Sequence, residues 1–510
     1  MRIAIRTDAS LEIGTGHVMR CITLAEALKG KGADVLFICR ELPGNLIAFI
    51  QKHGYEVISL GEADNSQSDS LNDGDTFHHR WLGVSLEKDA EDTYQALSKQ
   101  KNCSWLVVDH YAIDKSWELK QTDVVNKIFV IDDLADRKHS CEVLLDQNYY
   151  SDMLGRYNNL VPQSTQKLLG PAYSLLRKEF REQRACLAVE SGTVKSIFVF
   201  FGGVDIKNMT GRVIEAIIEL ALQNVQVNAV IGATNPHREA LKLLCETTTN
   251  IKLHVQASNM AEMMAQADLS IGGGGTVTWE RCCVGLPAIA WPVADNQKKL
   301  LKDSAEAGLV YLPDFIEPKS KEISIHINAL LQNKSLRKSM KNKGMSLIDG
   351  KGAIRVATLL CSPVISVREA LREDSQNIFI WRNAPSVRQY SHSSNEVDID
   401  AHKVWFEKVM SDSNRHILIG SLSGDDIGVV RFDVQGKECE ISIYLLSDKS
   451  GKGLGSALLN AGERWLRENR PEVKYIVAEV LSENKASIKL FEKSAYTLND
   501  LRYRKSIDNV

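Results

Sequence analysis

The chain has 510 residues, too long for one compact core, and ordinary domain sizes suggest about three folded parts. Lys+Arg (62) and Asp+Glu (65) nearly cancel, so no electrostatic footprint for nucleic acid or an anionic membrane is present. Hydrophobic residues at 44% and charged residues at 25% describe an ordinary globular protein. The opening MRIAIRTDAS enters a strand-like pattern without signal-peptide features, and the longest apolar runs, 196–201 and 286–291, are far shorter than a membrane span. A soluble, cytoplasmic protein with no membrane partner is expected. The ten cysteines include no CxxC pair, so reduced thiols without structural zinc are expected. Asp109, Asp132, Asp133 and Asp136 follow apolar strand patterns, where acidic loop residues are commonplace, and no metal is expected there.

From residue 2 to 146, RIAIRT, DVLFIC, YEVISL, WLVVD and KIFVID alternate with helical-period stretches, the signature of parallel βαβ units. A charged helix within 171–187 leads into a second series: SIFVFFGG, QVNAVIG, IKLHV, ADLSIGGGG and LPAIAWP, with closing helices in 335–360. The predicted class is α/β, with two Rossmann-like halves over 1–160 and 161–362 and a ligand cleft at the carboxyl ends of their strands. After CSPV at 361–364, strands follow one another without intervening helices, which predicts a mixed α+β domain over 363–510.

The loop EIGTGHVMR (12–20) follows the first strand and opens the first helix, where Gly14 and Gly16 let backbone approach a ligand closely. His17 stands where the helix dipole disfavours imidazolium, and a neutral imidazole can accept a proton. It is equally a candidate general base and a ring that merely packs the loop. Arg20, one turn on, is placed to meet a phosphate or to fix the loop. In the second half, FFGGVDIKNMT supplies Gly202, Gly203 and Asn208, and VIGATNPH supplies Thr234 and Asn235. The block at 271–297 supplies Gly274, Gly275 and Thr276 for phosphate, Glu280 for ribose hydroxyls, and Asn296 and Gln297 at its far end. Three such loops in one half favour a nucleotide over simple tight turns.

Through RTDAS, GTGHVMRC, DHYAID, VIDDLADR, LGPAYSLLR, FGGVD and the 271–297 block, residues 1 to about 360 resemble the UDP-sugar hydrolases of pseudaminic acid biosynthesis. The resemblance implies a GT-B-like fold related to the glycosyltransferase that makes peptidoglycan lipid II. It further implies UDP bound mainly by the second half, His17 activating water, Glu280 holding ribose, and metal-independent inversion. UDP is a good leaving group, so no strong general acid is demanded.

In the last segment, ISIYLLSDKSGKGLGSALL sets a strand before a Gly-rich loop and a helix, where backbone N–H groups can cradle a pyrophosphate. With WRNAPSVRQY and VAEVLSENKASIKLFEKSAY, it resembles the GNAT acetyltransferases over nearly all of 364–510. The resemblance implies acetyl-CoA as co-substrate, held by Leu445, Leu446, Ser450, Gly451, Gly453, Gly455 and Ser456, with Asn484 on the pantetheine arm. Glu440 is a candidate base for the amine, and equally a solvent-facing strand residue. Where the family often has an acidic tyrosine this chain has Phe491, so Tyr496 or solvent must protonate the leaving thiolate. The expected partners are a UDP-linked amino sugar and acetyl-CoA. The alternatives are a GT-B glycosyltransferase, in which a sugar acceptor replaces water, and a sugar-nucleotide-binding module with a degenerate acetyltransferase.

Overall fold

Seven short runs rich in Val, Ile, Leu and Phe become parallel strands of one sheet: β1 (Arg2–Thr7), β2 (Asp34–Glu41), β3 (Glu56–Glu62), β4 (Cys103–Asp109), β5 (Ile128–Ile131), β6 (Val143–Asp146) and β7 (Gln166–Leu169). Their order is β3-β2-β1-β4-β5-β6-β7, parallel throughout. Side chains alternate between two cores: Ile3, Ile5, Val107 and Phe129 on one face, Ala4, Leu106, Val108 and Val130 on the other. Burial on both faces explains why these strands read as continuous apolar runs. This computed structural model describes residues 1–510 except 64–77, 101, 188–191, 315–318, 364, 392–393, 423, 450–452, 495, 500–501 and 507–510.

The second sheet is again parallel, with β8 (Ser196–Phe200), β9 (Gln226–Ile231), β10 (Ile251–Val255), β11 (Leu269–Gly273) and β12 (Ala288–Trp291) in the order β10-β9-β8-β11-β12. In both sheets the strand order reverses beside the first strand, between β1 and β4 and between β8 and β11. A crevice opens at such a switch point because the two flanking loops leave in opposite directions.

The chain divides into two compact units, Met1–Cys361 and Ser362–Val510. Two details differ from the expected limits of the halves. The first sheet runs past residue 160, because the apolar strand β7 adds to β6. The last helix of the first unit, Gly352–Leu360, returns to the first half: Ala353, Val356, Ala357 and Leu360, a stripe at helical spacing, join the core with Leu24 and Leu28 of helix Gly16–Lys29. Trp105 Nε1 donates to the Leu360 carbonyl at 3.0 Å. The halves also meet through Trp279 Nε1, which donates to Asn148 Oδ1 at 3.0 Å, and through Asp303 Oδ2, which accepts from Ser151 N at 3.0 Å.

The second unit holds a mixed sheet of β13 (Ser366–Glu369), β14 (Arg415–Leu422), β15 (Asp425–Gln435), β16 (Glu438–Leu445), β17 (Tyr475–Glu479), β18 (Thr497–Asn499) and β19 (Arg502–Ser506). The order is β13-β14-β15-β16-β17-β19-β18. All pairs are antiparallel except β16 with β17. Among the described residues no helix is long and apolar enough to cross a membrane.

Gly352 opens the returning helix against the backbone of Tyr173 and Ser174, where an added Cβ meets main-chain atoms that cannot swing aside. Gly352→Ala is expected to cost about 1–3 kcal/mol by overpacking; a denaturant-unfolding midpoint for the first unit equal to that of the parent contradicts this docking.

Candidate functional site

The first crevice is built on a buried carboxylate. Asp109 ends β4 beside Thr7 of β1 and is fully buried. His17 Nδ1 lies 2.6 Å from Asp109 Oδ1, and Arg20 grips the same carboxylate with Nε to Oδ2 and Nη2 to Oδ1, both at 2.6 Å. The spacing of three places His17 and Arg20 on one face of helix Gly16–Lys29, toward β4. Burial raises the cost of charge on Asp109, but the Arg20 guanidinium and then His17 more than offset this and hold the carboxyl well below the usual carboxylate range. An ionised carboxylate only accepts hydrogen bonds, so Nδ1 of His17 is the ring nitrogen that donates to Asp109, and Nε2 is the one left for other partners. Arg20 also donates through Nη1 to Asp133 Oδ2 at 2.5 Å, and Tyr111 Oη donates to the same oxygen at 2.9 Å. Arg20 is therefore engaged by two carboxylates.

The loop of Gly14 and Gly16 ends at an uncapped helix start: Thr15 makes no side-chain capping bond and no acidic residue occupies the first turn. The other acidic residues singled out by sequence are held by cations. Asp132 and Asp136 accept from Arg137 at 2.8 and 2.9 Å. Among the described residues no group of three or more His, Cys, Asp or Glu is placed to hold a metal. All ten cysteines are free thiols.

In the second crevice the loops after β8, β9 and β11 lie together. The Gly232 amide donates to the Gly203 carbonyl at 2.8 Å, and a Cβ on Gly232 would run into that backbone, so glycine is what lets the two loops touch. Gly202 turns the first of them with φ +95°. Asn208 caps helix Met209–Glu219, its side-chain oxygen accepting from Gly211 N at 3.2 Å. Asp205, which was not singled out by sequence, accepts from Met209 N and Thr210 N at 3.0 and 2.8 Å. Asn235 Oδ1 accepts from His237 N at 2.8 Å, while its buried Nδ2 has no partner among the described residues. Thr234 is exposed at the tip of the same loop.

Gln297 Oε1 accepts from Gly274 N at 3.3 Å and Val293 N at 3.1 Å, tying the Gly274–Gly275 turn to helix Gln297–Glu306. Thr276 and Asn296 are exposed helix N-caps that make no side-chain capping bond. Glu280 lies in helix Val277–Cys283 with its side chain 16% exposed, 3.4 Å from Arg177 Nη2. Burial pushes its carboxyl up from the ordinary value, and Arg177 partly offsets that. Two groups thus form around named residues, His17 with Arg20, Asp109 and Asp133 in one half, and Gly274 with Gln297 and Glu280 with Arg177 in the other. Sequence reading missed the partners Asp109, Asp133 and Arg177. The motif DHYAID held the first in plain view without showing what it faces.

In the second unit β16 and β17 pair only over Glu438–Glu440 with Tyr475–Val477. Beyond Glu440 the strands part, which leaves an opening in the sheet toward Leu445. Glu440 is exposed at the base of this opening, on the face shared with Asp433, Arg431 and Tyr444. Leu446 N is already used, donating to Ile427 O at 2.9 Å. Ser450 and Gly451 lie outside the described residues. Gly453 (φ +75°) caps helix Leu454–Asn469, whose first turn carries the half-buried Gly455 and Ser456. Asn484 Oδ1 caps its own helix, accepting from Ser487 N at 3.0 Å, so only its Nδ2 is left to reach outward.

Tyr496 does not serve as a replacement acid: it is buried and its hydroxyl donates to Glu463 Oε1 at 3.0 Å. Phe491 is buried against it, with ring centres 4.9 Å apart. Sequence reading also missed a basic cluster. Burial pushes the Tyr444 hydroxyl up against the pull of Arg382 and Arg431. The Arg382 guanidinium is pulled below its ordinary value by burial, against Tyr444, and by Arg431 and Arg388. Tyr444 Oη is buried and has no partner among the described residues.

Comparison with known proteins agrees with this architecture. Residues 196–350 match the Glycosyltransferase family 28 C-terminal domain, and residues 365–497 match the Acetyltransferase (GNAT) domain. The chain is 24% identical over 71% of its length to the spore coat polysaccharide biosynthesis protein SpsG of Bacillus subtilis, covering 98% of that protein. It is 26% identical over 52% of its length to the UDP-2,4-diacetamido-2,4,6-trideoxy-beta-L-altropyranose hydrolase of Campylobacter jejuni, covering 83% of that protein. MurG of Acinetobacter baumannii shares the fold over 70% of this chain and 98% of its own, at a TM-score of 0.50 and 15% identity. The first unit therefore has a GT-B-like fold of two Rossmann-like halves, homologous to SpsG and to the hydrolase, and the second is a GNAT acetyltransferase domain.

Proposed function

We propose that the first unit hydrolyses a UDP-linked 2,4-diacetamido-2,4,6-trideoxyhexose to UDP and free sugar, and that the second acetylates the 4-amino group of the UDP-sugar precursor. The observation that carries the first half of this reading is the Asp109–His17 pair at the switch point. Nε2 of His17 takes a proton from water as its oxygen attacks the anomeric carbon, and the bond to the diphosphate breaks with its electron pair leaving on UDP. Backbone N–H groups of the Gly202–Gly203 turn and of Gly275 and Thr276, beyond the amide of Gly274 that Gln297 holds, receive the charge growing on the diphosphate, while Glu280 accepts from the ribose hydroxyls. Similarity to the Campylobacter jejuni hydrolase supports water, rather than a sugar, as the acceptor.

In the second unit acetyl-CoA occupies the opening between β16 and β17, its pyrophosphate on the loop before helix Leu454–Asn469. Glu440, directly or through water, removes a proton from the attacking ammonium. The amine nitrogen bonds to the thioester carbonyl carbon, the carbon–sulfur bond breaks, the nitrogen gives up its second proton to solvent, and the thiolate is protonated by solvent. Arg382, Arg388 and Arg431, gathered near Tyr444, suit a diphosphate-bearing amine as acceptor. Joining the two activities in one chain raises the local concentration of the acetylated intermediate. The glycosyltransferase family 28 match and the MurG-like fold favour a second reading, sugar transfer to an acceptor. UDP release from UDP-sugar alone, at full rate and without acceptor, decides for hydrolysis, and release only on adding a sugar acceptor decides against it.

His17→Ala is expected to lower UDP release about 10²- to 10⁴-fold with UDP affinity and acetyl transfer unchanged; full turnover removes His17 from the mechanism. Asp109→Asn, which permits the wrong tautomer of His17, is expected to lower kcat with little change in KM, and a parental kcat contradicts the orienting role. Glu280→Ala is expected to weaken UDP binding by about 1–3 kcal/mol, read by titration calorimetry; unchanged affinity places Glu280 outside the site.

A further inference from the structure

Around His17 the structure gathers rings that neither core accounts for. Tyr111 meets the imidazole edge-on, with centres 4.5 Å apart and planes at 83°. Trp81 stacks beside Tyr111 at 5.7 Å and 26°, and lies 6.4 Å from the imidazole. His78 closes the group at 4.6 Å from Trp81 and 5.3 Å from Tyr111. These rings are fixed in place. Tyr111 stands two residues past Asp109, where β4 ends, and its hydroxyl is tied to Asp133 at 2.9 Å. Trp81 rides on the 3-10 turn His79–Leu82, anchored by Leu82, which is fully buried in the core between helix and sheet. Trp81 itself is half-buried and belongs to neither face of the first half's core. Among the described residues Trp81 packs only within this ring group and outside both cores, and an indole held beside a reactive imidazole in this way offers an apolar surface to whatever the imidazole acts on.

The geometry points to Trp81 and Tyr111 as an aromatic wall of the sugar subsite, selecting hexoses whose ring substituents end in methyl groups, N-acetyl and 6-deoxy, over hexoses with hydroxyl and hydroxymethyl groups at those positions. This rests on the reading of His17 as the base that faces the sugar. A methyl group laid on an indole leaves water at no polar cost. A hydroxyl laid on the ring faces loses its water partners and meets no strong acceptor there, because the faces are apolar and the Tyr111 hydroxyl is already committed to Asp133. An apolar wall of this kind discriminates one small substituent by about 10- to 100-fold. The UDP end of the ligand is held by the other half and is indifferent to the wall.

Affinity, read by titration calorimetry on the full chain in the His17→Ala background, tests the wall without depending on turnover. The ligands are UDP-2,4-diacetamido-2,4,6-trideoxyhexose, UDP-N-acetylglucosamine and UDP. The His17→Ala chain is expected to prefer the first sugar nucleotide to the second by at least about tenfold. Adding Trp81→Ala is expected to bring the two within about threefold, with UDP affinity unchanged. Trp81→Phe, which keeps an aromatic face, retains most of the preference. A preference that survives Trp81→Ala in protein that still binds UDP, or no preference before the substitution, overturns the wall. UDP release by the parent chain reports separately on hydrolysis, so failure of that reading and failure of the wall are distinguishable.

Discussion

Everything in the first half's crevice depends on one buried charge. Asp109 sits at the end of a central strand with no exposure, where an unpaired carboxylate is untenable. It is made tenable by a two-point grip from Arg20 and a third bond to His17. Because Arg20 and His17 belong to the helix that follows β1, the same contacts lock that helix to β4 across the switch point. The price of burying the charge is thus met by groups that also orient the imidazole. Asp133 and Tyr111 extend the arrangement, so that the orientation of His17 and the placement of Tyr111 beside it share one electrostatic cause.

The second half solves a different problem with different materials. In the proposed reaction a departing diphosphate needs many weak donors at close range rather than one strong partner, and backbone N–H groups on glycine turns are of that kind. The side chains around those turns mostly hold the backbone still: Asn208 and Asp205 cap a helix, and Gln297 pins Gly274. In the second unit the parting of β16 from β17 beyond Glu440 likewise leaves strand backbone open.

Much of the fold was legible, because a strand buried on both faces must be apolar throughout and the glycine loops fall where strands end. The change of grammar after residue 361 was equally readable, since strands that follow one another cannot be the parallel crossovers of the first unit. The chemistry was half legible. His17 stood out as a histidine at a helix start, but its partner lies 92 residues away, and only the pairing of β1 with β4 brings them together. Residues that read as ligand groups turned out to spend their oxygens on backbone amides: Asn208 and Asn484 because a short polar side chain at a helix start finds its nearest donor there, and Gln297 by reaching across to the amides of Gly274 and Val293. Tyr496 failed as an acid for a related reason. Its hydroxyl is turned into the core toward Glu463, a buried carboxylate more than thirty residues earlier that no local pattern connects to it. The return of helix Gly352–Leu360 to the first half could not be read either, since an apolar stripe says that a helix is covered and not by what.

The central claim is that water held by His17 attacks the anomeric carbon. Hydrolysis in ¹⁸O-labelled water, with both products analysed promptly by mass spectrometry, tests it most directly. The account predicts the label in the released sugar and none in UDP. Label in the UDP phosphate means attack at phosphorus instead of carbon and contradicts it.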